Sequence, residues 1–192
     1  MQYILASASP RRKELMQLIN KDFIIMPANI DETVNANIPL NFTPEYLAVK
    51  KAEFVANQHP NSLVIGSDTG VFLDNTMFGK PKNNAEAEQM LKTLSGKTHS
   101  VITGCALFYK GKHLSFSEET KVEFLNLTDS QILNYVNSGE CLDKAGAYAI
   151  QGKGALLVKS INGDYFNVVG LPVSRLNREI ETFFKLFGEK YE

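Results

Sequence analysis

Short apolar segments alternate along this chain with segments in which apolar residues recur every three or four positions. The first pattern predicts strands, and the second predicts amphipathic helices. Strands are predicted at residues 3–7, 23–26, 63–66, 71–73, 99–109, 113–125 and 155–161. Helices are predicted to start at Pro10, at Thr43, at residue 85, after Thr128 and at Pro172. This mixed order predicts an α/β fold with a mixed sheet flanked by helices.

Capping signals support two of these helices. Ser9 followed by Pro10 has the form of an N-cap with proline at the first helical position, and Thr128 with Gln131 has the spacing of a capping box. The first helix is expected to place its apolar residues on one face, namely Leu15, Met16, Leu18 and Ile19. The strand at 63–66 is expected to end at Ser67-Asp68-Thr69-Gly70, which would place Asp68 at a strand end.

Composition restricts the classes of protein that fit. The chain has 192 residues, which suits a single domain over 1–192, and its net charge of −1 gives no global attraction to nucleic acid or to an anionic membrane. It has no apolar run of about 18 residues, and its first residues read directly into a strand without the pattern of a signal peptide. We therefore expect a cytoplasmic protein. Cys105 and Cys141 have neither metal-ligand nor redox spacing and are assigned no function.

Three cations crowd the first turn of the first predicted helix. Arg11, Arg12 and Lys13 follow a loop with two serines, Ser7 and Ser9. The positive end of the helix dipole makes this crowding unfavourable unless an anion is present, and guanidinium groups, serine hydroxyls and free N–H groups all suit phosphate oxygens. The alternative is a set of solvated surface charges. The preceding strand and the small-residue loop favour a phosphate site.

Two lysines lie in unusual positions. Lys51 falls on the same helix stripe as Leu47 and Val55, which faces the core, so its ammonium group either reaches water along its stem or points into a charged cleft. Lys80 stands between Gly79 and Pro81, which restrict its backbone, and it is a candidate to contact the same cleft.

Acidic residues follow two of the predicted strands. Asp31-Glu32 precedes a long polar loop, and Asp68 follows the most hydrophobic strand of the N-terminal half. Carboxylate oxygens at strand ends would suit Mg²⁺ or Mn²⁺ bridging substrate phosphates. The alternatives are a solvated loop for Asp31-Glu32 and an Asx turn for Asp68. Only their combination with the cations favours a metal-assisted site.

A segment rich in small residues, Asp143 to Gly154, contains defined polar side chains. Gln151 carries a donor and an acceptor that would read the edge of a base, and Lys144 would meet a phosphate or base oxygen. The alternative is a simple glycine-rich loop.

Several ordered motifs together resemble the Maf proteins, a family of nucleotide pyrophosphatases once described as septum-formation inhibitors. The likeness runs nearly end to end. The motifs are Leu5-Ala6-Ser7-Ala8-Ser9-Pro10-Arg11-Arg12, Asp31-Glu32, Leu47-Ala48, Lys51-Ala52, Ser67-Asp68-Thr69, Gly79-Lys80-Pro81, Leu94 to His99, Asp143 to Gly152 and Asn167 to Pro172. This resemblance implies an elongated α/β fold related to the inosine triphosphate pyrophosphatases, with two lobes, a central cleft and, in many members, a homodimer.

The resemblance also implies roles for individual residues. The triphosphate would be held by Ser7, Ser9, Arg11, Arg12, Lys51 and Lys80. Glu32 and Asp68 would serve the divalent metal and the water, and Gln151 with Lys144 would contribute to substrate selection. The stretch Ala145 to Gly152 resembles the branch that acts on dTTP and UTP rather than the branch that prefers 7-methyl-GTP.

These roles give an expected reaction in which a nucleoside triphosphate is cleaved at the α-phosphorus to a monophosphate and pyrophosphate. Asp68 is the candidate general base and Glu32 chiefly a metal ligand, although the reverse assignment stays open. Two other functions also stay open. One is a nucleotide-binding regulator of cell division that does not need hydrolysis, and the other is a purine-specific hydrolase that cleanses the nucleotide pool.

Overall fold

Strands and helices alternate in the computed structural model, which describes residues 1–188. The strands are β1 (Tyr3–Leu5), β2 (Phe23–Ile25), β3 (Leu63–Leu73), β4 (Thr76–Phe78), β5 (Thr98–Tyr109), β6 (Lys112–Phe124) and β7 (Val158–Asn162). The helices are α1 (Pro10–Met16), α2 (Thr43–Ala56), α3 (Asn84–Leu94), α4 (Asp129–Val136), α5 (Tyr165–Val169) and α6 (Val173–Leu186). Short 3₁₀ segments lie at Leu40–Phe42, Ala145–Ala147 and Gly152–Leu157.

The seven strands form one mixed sheet in the order β2-β1-β3-β5-β6-β7, with β4 paired to β3. β1 is parallel to both β2 and β3, whereas β4 is antiparallel to β3 and β7 is antiparallel to β6. Helices connect most of these strands. The prediction of an α/β fold with a mixed sheet is therefore confirmed.

The chain divides into two compact units that are interleaved along the sequence. The first unit contains residues 1–68, 103–118 and the described chain from Gly170 onward. One of its hydrophobic clusters is built from α2 and its neighbouring strands and contains Ile4, Ala6, Ala48, Ala52, Val55, Val64, Ala106 and Phe108. Half of these residues are alanines, which allow close packing between the helix and the strands.

Two glycines allow helix α2 to approach the strands of the first unit. A Cβ atom at Gly66 of β3 would lie 2.3 Å from the carbonyl oxygen of Ala48. A Cβ atom at Gly104 of β5 would lie 2.3 Å from the main chain of Glu45. Since any other side chain would force the backbones apart, glycine at both positions sets the distance of α2 from the sheet.

The second unit contains residues 69–102 and 119–169. Its core gathers apolar side chains from α3, α4 and strand segments, and helices α3 and α4 pack against each other. The predicted capping box is present, because the Thr128 side chain accepts from Gln131 N–H while the Gln131 side chain accepts from Thr128 N–H. No helix within residues 1–188 is long and apolar enough to cross a membrane.

The structure corrects some predicted boundaries. β3 runs unbroken from Leu63 to Leu73, so Asp68 lies inside a strand and not at its end. Pairing of β3 with its neighbours keeps the polar stretch extended, although its composition is typical of a turn. Helix α1 ends at Met16, so Leu18 is 67% exposed and does not share its buried face. β7 begins at Val158, because a 3₁₀ segment occupies the preceding residues.

Candidate active site

The loop between β1 and α1 is held by serine hydroxyl groups. Ser9 is the N-cap of α1, and its side chain accepts the N–H of Arg12 at 3.4 Å. The Ser7 hydroxyl oxygen accepts the N–H of Ser9 at 3.3 Å. Pro10 occupies the first turn, as predicted. The two serines therefore order the loop that leads into Arg11 and Arg12.

The guanidinium group of Arg12 joins separate segments of the first unit. Its Nε donates to the carbonyl oxygen of Gly170 at 2.8 Å, and one terminal nitrogen donates to the carbonyl oxygen of Ser67 at 2.9 Å and to the Ser7 hydroxyl at 3.2 Å. Gly170 has a φ of 123°, which favours glycine. Burial lowers the pKa of Arg12, while the charge of Asp68 acts in the opposite direction. Arg12 thus anchors α1 to the strand that carries Asp68.

Lys51 lies between two carboxylates. Its Nζ is 2.6 Å from Asp68 Oδ1 and 2.9 Å from Glu32 Oε1. The Lys51 and Asp68 side chains are only 12% and 14% exposed, whereas the Glu32 side chain is 56% exposed. Of the two alternatives for Lys51, the structure shows the one in which the ammonium group points into a charged cluster.

The position of Lys51 follows from the packing of α2. Ala48 and Ala52 are fully buried against Gly66 of β3, and Lys51 lies between them on the helix. Asp68 is two residues beyond Gly66, on the same face of the strand. The close approach of helix and strand therefore brings Lys51 within hydrogen-bonding distance of Asp68.

The segment that carries Glu32 is ordered by its neighbours. Asp31 Oδ1 accepts the Thr33 hydroxyl at 2.6 Å and the Thr33 N–H at 2.9 Å. The hydrogen bond from the Thr33 hydroxyl is the main cause that lowers the pKa of Asp31. Lys50 Nζ donates to the Asp31 carbonyl oxygen at 2.7 Å. Asp31 therefore shapes the loop, while Glu32 reaches Lys51.

The three remaining predicted residues belong to the second unit. Lys80 is exposed directly after Gly79, whose carbonyl oxygen accepts the N–H of Gly146 at 3.0 Å. Lys144 Nζ donates to the carbonyl oxygen of Glu140 at 2.6 Å and pairs with Asp143. Gln151 is exposed and immediately precedes the 3₁₀ segment Gly152–Leu157.

The sequence interpretation missed the contribution of main-chain acceptors. The carbonyl oxygens of Ser67 and Gly170 accept hydrogen bonds from Arg12, and the Ser67 hydroxyl also donates to the Gly170 carbonyl oxygen at 3.2 Å. The Cys105 thiol contacts the same Ser67 hydroxyl, and burial raises the pKa of that thiol to about 12. A carbonyl group has no residue-type signal, so only the glycine at 170 marked this contact in the sequence.

Fold and site together define a class, the α/β proteins with a cluster of basic and acidic side chains beside the central sheet. The family model described as Maf-like protein matches residues 2–183, and the chain belongs to this family.

Curated relatives cover nearly the whole chain. The dTTP/UTP pyrophosphatase of Bacillus cytotoxicus is 50% identical over 181 residues, which span 94% of this chain and 95% of that protein. The dTTP/UTP pyrophosphatase of Geobacillus sp. is 49% identical over 180 residues, which span 94% of this chain and 97% of that protein. The chain is therefore an enzyme, a hydrolase of the pyrophosphatase type.

Solved structures support the fold. A HAM1 protein from Coxiella burnetii matches with a TM-score of 0.56 at 18% identity, over 95% of this chain and 99% of that chain. The Ham1 protein of Staphylococcus aureus also matches with a TM-score of 0.56, at 15% identity and with the same coverage. This likeness shows that the mixed α/β fold of this chain is shared with the Ham1 proteins, as the family resemblance predicted.

Proposed function

We propose that this enzyme hydrolyses dTTP and UTP to the nucleoside monophosphate and pyrophosphate by attack of water on the α-phosphorus. The names and identity of the Bacillus and Geobacillus relatives support this substrate class. The observation that carries the reaction is the contact of Lys51 with both Glu32 and Asp68. A site that only bound an anion would gain nothing from two carboxylates, because they repel phosphate.

The bond changes assign one step to Asp68. The water oxygen forms a bond to the α-phosphorus, the bond from that phosphorus to the bridging oxygen breaks, and pyrophosphate leaves with the electron pair. Asp68 accepts the proton of the attacking water, a contribution typically worth about 10²- to 10⁴-fold. The side chain of Asp68 is 14% exposed and is held in place by Lys51, which suits a directed proton transfer.

The cations neutralise a triphosphate that carries roughly four negative charges. Lys51 has three N–H donors, so it can stay hydrogen-bonded to a carboxylate and still donate to a phosphate oxygen. Arg11 precedes Arg12 in the first turn of α1 and adds a second guanidinium group. Ser7, Ser9 and Lys80 are assigned to the same phosphates by the family resemblance.

Glu32 and Asp68 also suit a Mg²⁺ or Mn²⁺ ion. Both carboxylates lie within 2.9 Å of a single ammonium nitrogen, so they face a common point. The protein would supply these two ligands and leave the others to substrate and water, as Mg²⁺ commonly allows. Bound there, the ion would neutralise phosphate charge and lower the pKa of water.

Base selection is assigned to Gln151 and Lys144. Thymine and uracil share an N–H group flanked by two carbonyl groups, and a carboxamide complements one N–H and one carbonyl. Gln151 is exposed in a segment of small residues, which leaves its carboxamide accessible to a ligand.

Product analysis in ¹⁸O-labelled water tests the reaction. The purified protein is incubated with a panel of nucleoside triphosphates and either Mg²⁺ or Mn²⁺. We expect pyrophosphate without label, nucleoside monophosphate with one ¹⁸O, and the highest kcat/KM for dTTP and UTP. Label in pyrophosphate would place the attack at the β-phosphorus, and sequential release of orthophosphate would also contradict the proposal.

In the cell, the same activity would cleanse pools of pyrimidine triphosphates and delay septation, a role supported only by the family resemblance. Expression of the wild type and of Asp68→Asn separates this role from regulation by binding alone. We expect longer cells and lower dTTP with the wild type only. Equal cell lengthening by Asp68→Asn would favour the regulator. The cytoplasmic location and the homodimer also stay predictions.

A further inference from the structure

The segment that carries Gln151 is anchored on both sides by residues from α4 and the chain that follows it. The N–H of Ala149 donates to the Tyr135 hydroxyl oxygen at 3.1 Å. The N–H of Lys153 donates to Glu140 Oε2 at 3.1 Å. The exposed Gln151 side chain therefore projects from a main chain that is fixed two residues before it and two residues after it.

Two glycines draw this segment close to its anchors. Gly152 has a φ of 62°, and a Cβ atom there would lie 2.8 Å from Glu140 Oε2. A Cβ atom at Gly154 would lie 2.0 Å from the carbonyl oxygen of Ala149. The backbone after Gln151 thus folds back on itself, directly against the carboxylate of Glu140.

Glu140 also contacts the second residue assigned to base selection. Its carbonyl oxygen accepts Lys144 Nζ at 2.6 Å. Glu140 is itself restrained, because its N–H donates to the Ser138 hydroxyl at 3.4 Å and that hydroxyl donates to the Tyr135 carbonyl oxygen at 2.6 Å. One residue therefore holds the Lys144 side chain through its main chain and the Gln151 segment through its carboxylate.

We infer that Glu140 is a positioning residue for substrate selection, whose carboxylate fixes the Gln151 segment in the arrangement that distinguishes one base from another. This inference rests on the proposed function, in which Gln151 reads the base. Glu140 touches neither substrate nor reacting atoms. It acts by ordering the loop before the nucleotide arrives, so that binding does not have to supply that conformational entropy.

Substitution of Glu140 tests the inference through a ratio of substrates. In Glu140→Ala, kcat/KM for dTTP should fall about tenfold, mainly through KM, which is the size expected for one hydrogen bond to a charged group. The value for dATP should stay within about twofold, since its base is not the one that the loop is ordered to read. Inorganic tripolyphosphate, which has no base, should inhibit both proteins equally.

Two control variants separate positioning from general damage. Glu140→Gln keeps an acceptor oxygen for the Lys153 N–H and should restore most of the preference for dTTP. Glu123→Ala also removes side-chain contacts in the second unit, to Lys159 and Ser160, and should leave the ratio unchanged. If Glu140→Ala does not fold, Glu140→Asp withdraws the carboxylate by one methylene and serves the same test.

A double-mutant cycle gives the decisive result. If Glu140 acts through Gln151, the double variant Glu140→Ala/Gln151→Ala should be no less selective than Gln151→Ala alone. Additive losses, or an unchanged dTTP to dATP ratio in Glu140→Ala, would overturn the inference and leave the proposed function intact. A wild-type enzyme without a preference for pyrimidine triphosphates would overturn both.

Discussion

Lys51 forms ion pairs with two carboxylates at the centre of the candidate site. Its ammonium group is almost enclosed, and Asp68, one of its partners, is nearly as buried. Charges in such positions need partners, because an unpaired buried charge is costly. The ammonium nitrogen occupies the point that both carboxylates face, which is also where a divalent cation would be held. A metal ion and Lys51 should therefore compete for these oxygens in the absence of nucleotide.

Lys51→Met is expected to bind Mn²⁺ about tenfold more tightly than the wild type when no nucleotide is present, because the competing cation is removed. Isothermal titration calorimetry measures this affinity directly and does not depend on turnover. Lys159→Met is the matched control, since Lys159 pairs with Glu123 and with neither of these carboxylates. Equal Mn²⁺ affinity in the Lys51 variant and the wild type would show that Lys51 and the metal ion do not compete for these oxygens.

Asp68→Asn is expected to lower turnover by at least about 10²-fold while the protein stays folded. The carboxamide keeps the shape and an acceptor oxygen for Lys51, but it does not accept the proton of the attacking water. Steady-state release of pyrophosphate measures the loss, and circular dichroism checks the fold. Asp74→Asn, in an exposed turn, should behave like the wild type. Near-normal turnover of Asp68→Asn would assign the base role elsewhere.

His99 makes stability depend on pH. The ring is buried, with Nε2 2.7 Å from the Tyr148 hydroxyl oxygen, and burial lowers its pKa from 6.5 to about 4. The unfolded chain therefore takes up a proton at a higher pH than the folded protein. This contribution of about 3 kcal/mol is fully present above pH 6.5 and is lost progressively as the pH falls towards 4.

Urea unfolding between pH 7.5 and 4.5 checks this contribution. The free energy of unfolding of the wild type should fall more steeply with decreasing pH than that of His99→Gln. His113→Gln replaces an exposed histidine and is the matched control for the loss of an imidazole. Parallel curves for the wild type and His99→Gln would show that His99 does not couple stability to pH.

At the scale of elements, the contact of α2 with β3 and β5 determines where Lys51 lies. Glu45, in the first turn of α2, accepts the hydroxyl groups of Ser115 and Ser117 at 2.7 and 2.6 Å. Gly66 and Gly104 remove the side chains that would otherwise separate the helix from the strands. The helix is thus fixed at its start by hydrogen bonds and along its length by close backbone contact.

Gly66→Ala is expected to destabilise the protein by about 1–3 kcal/mol, because the new methyl group would overlap the Ala48 carbonyl oxygen. Since α2 must move, Lys51 should no longer lie within hydrogen-bonding distance of Asp68. Turnover should therefore fall by more than the loss of folded protein explains. Thermal unfolding and kcat measure the two effects. Gly79→Ala, where a Cβ has open space, is the control for thermal stability.

At the scale of the whole molecule, the two units are built from segments that alternate along the chain. The chain passes from one unit to the other after Asp68, Ile102, Glu118 and Val169. The single domain over 1–192 stays a prediction. Within the first unit, the N-terminal segment depends on later residues, since Arg12 bonds to Gly170 and Gly104 packs against Glu45.

A fragment of residues 1–68 is therefore expected to stay unfolded, although it contains Ser7, Arg12, Glu32, Lys51 and Asp68. It lacks the strand that pairs with β3 on one side and one of the acceptors of Arg12, the Gly170 carbonyl oxygen. Proton-nitrogen correlation spectra should show narrow amide dispersion for the fragment and wide dispersion for the full chain. A dispersed spectrum of the fragment would mean that these segments fold independently.

The sequence by itself predicted the features that depend on residues close to one another along the chain. Serine before proline at α1 and the threonine-glutamine pair at α4 both cap their helices, because capping joins residues two or three apart. The apolar stripe of α2 predicted its buried face and singled out Lys51 as a charge on that face. The order of motifs predicted the family, since it reports on the whole chain at once.

Only the tertiary structure decided which partners these residues have. Lys51 meets Asp68 across 17 residues, Arg12 meets Gly170 across 158, and Lys153 meets Glu140 across 13. The periodicity of a segment places a side chain on a face, but the partner depends on which strand or loop packs there. For the same reason Asp68 was expected at a strand end. Its extended backbone is maintained by pairing with other strands, which the local sequence does not encode.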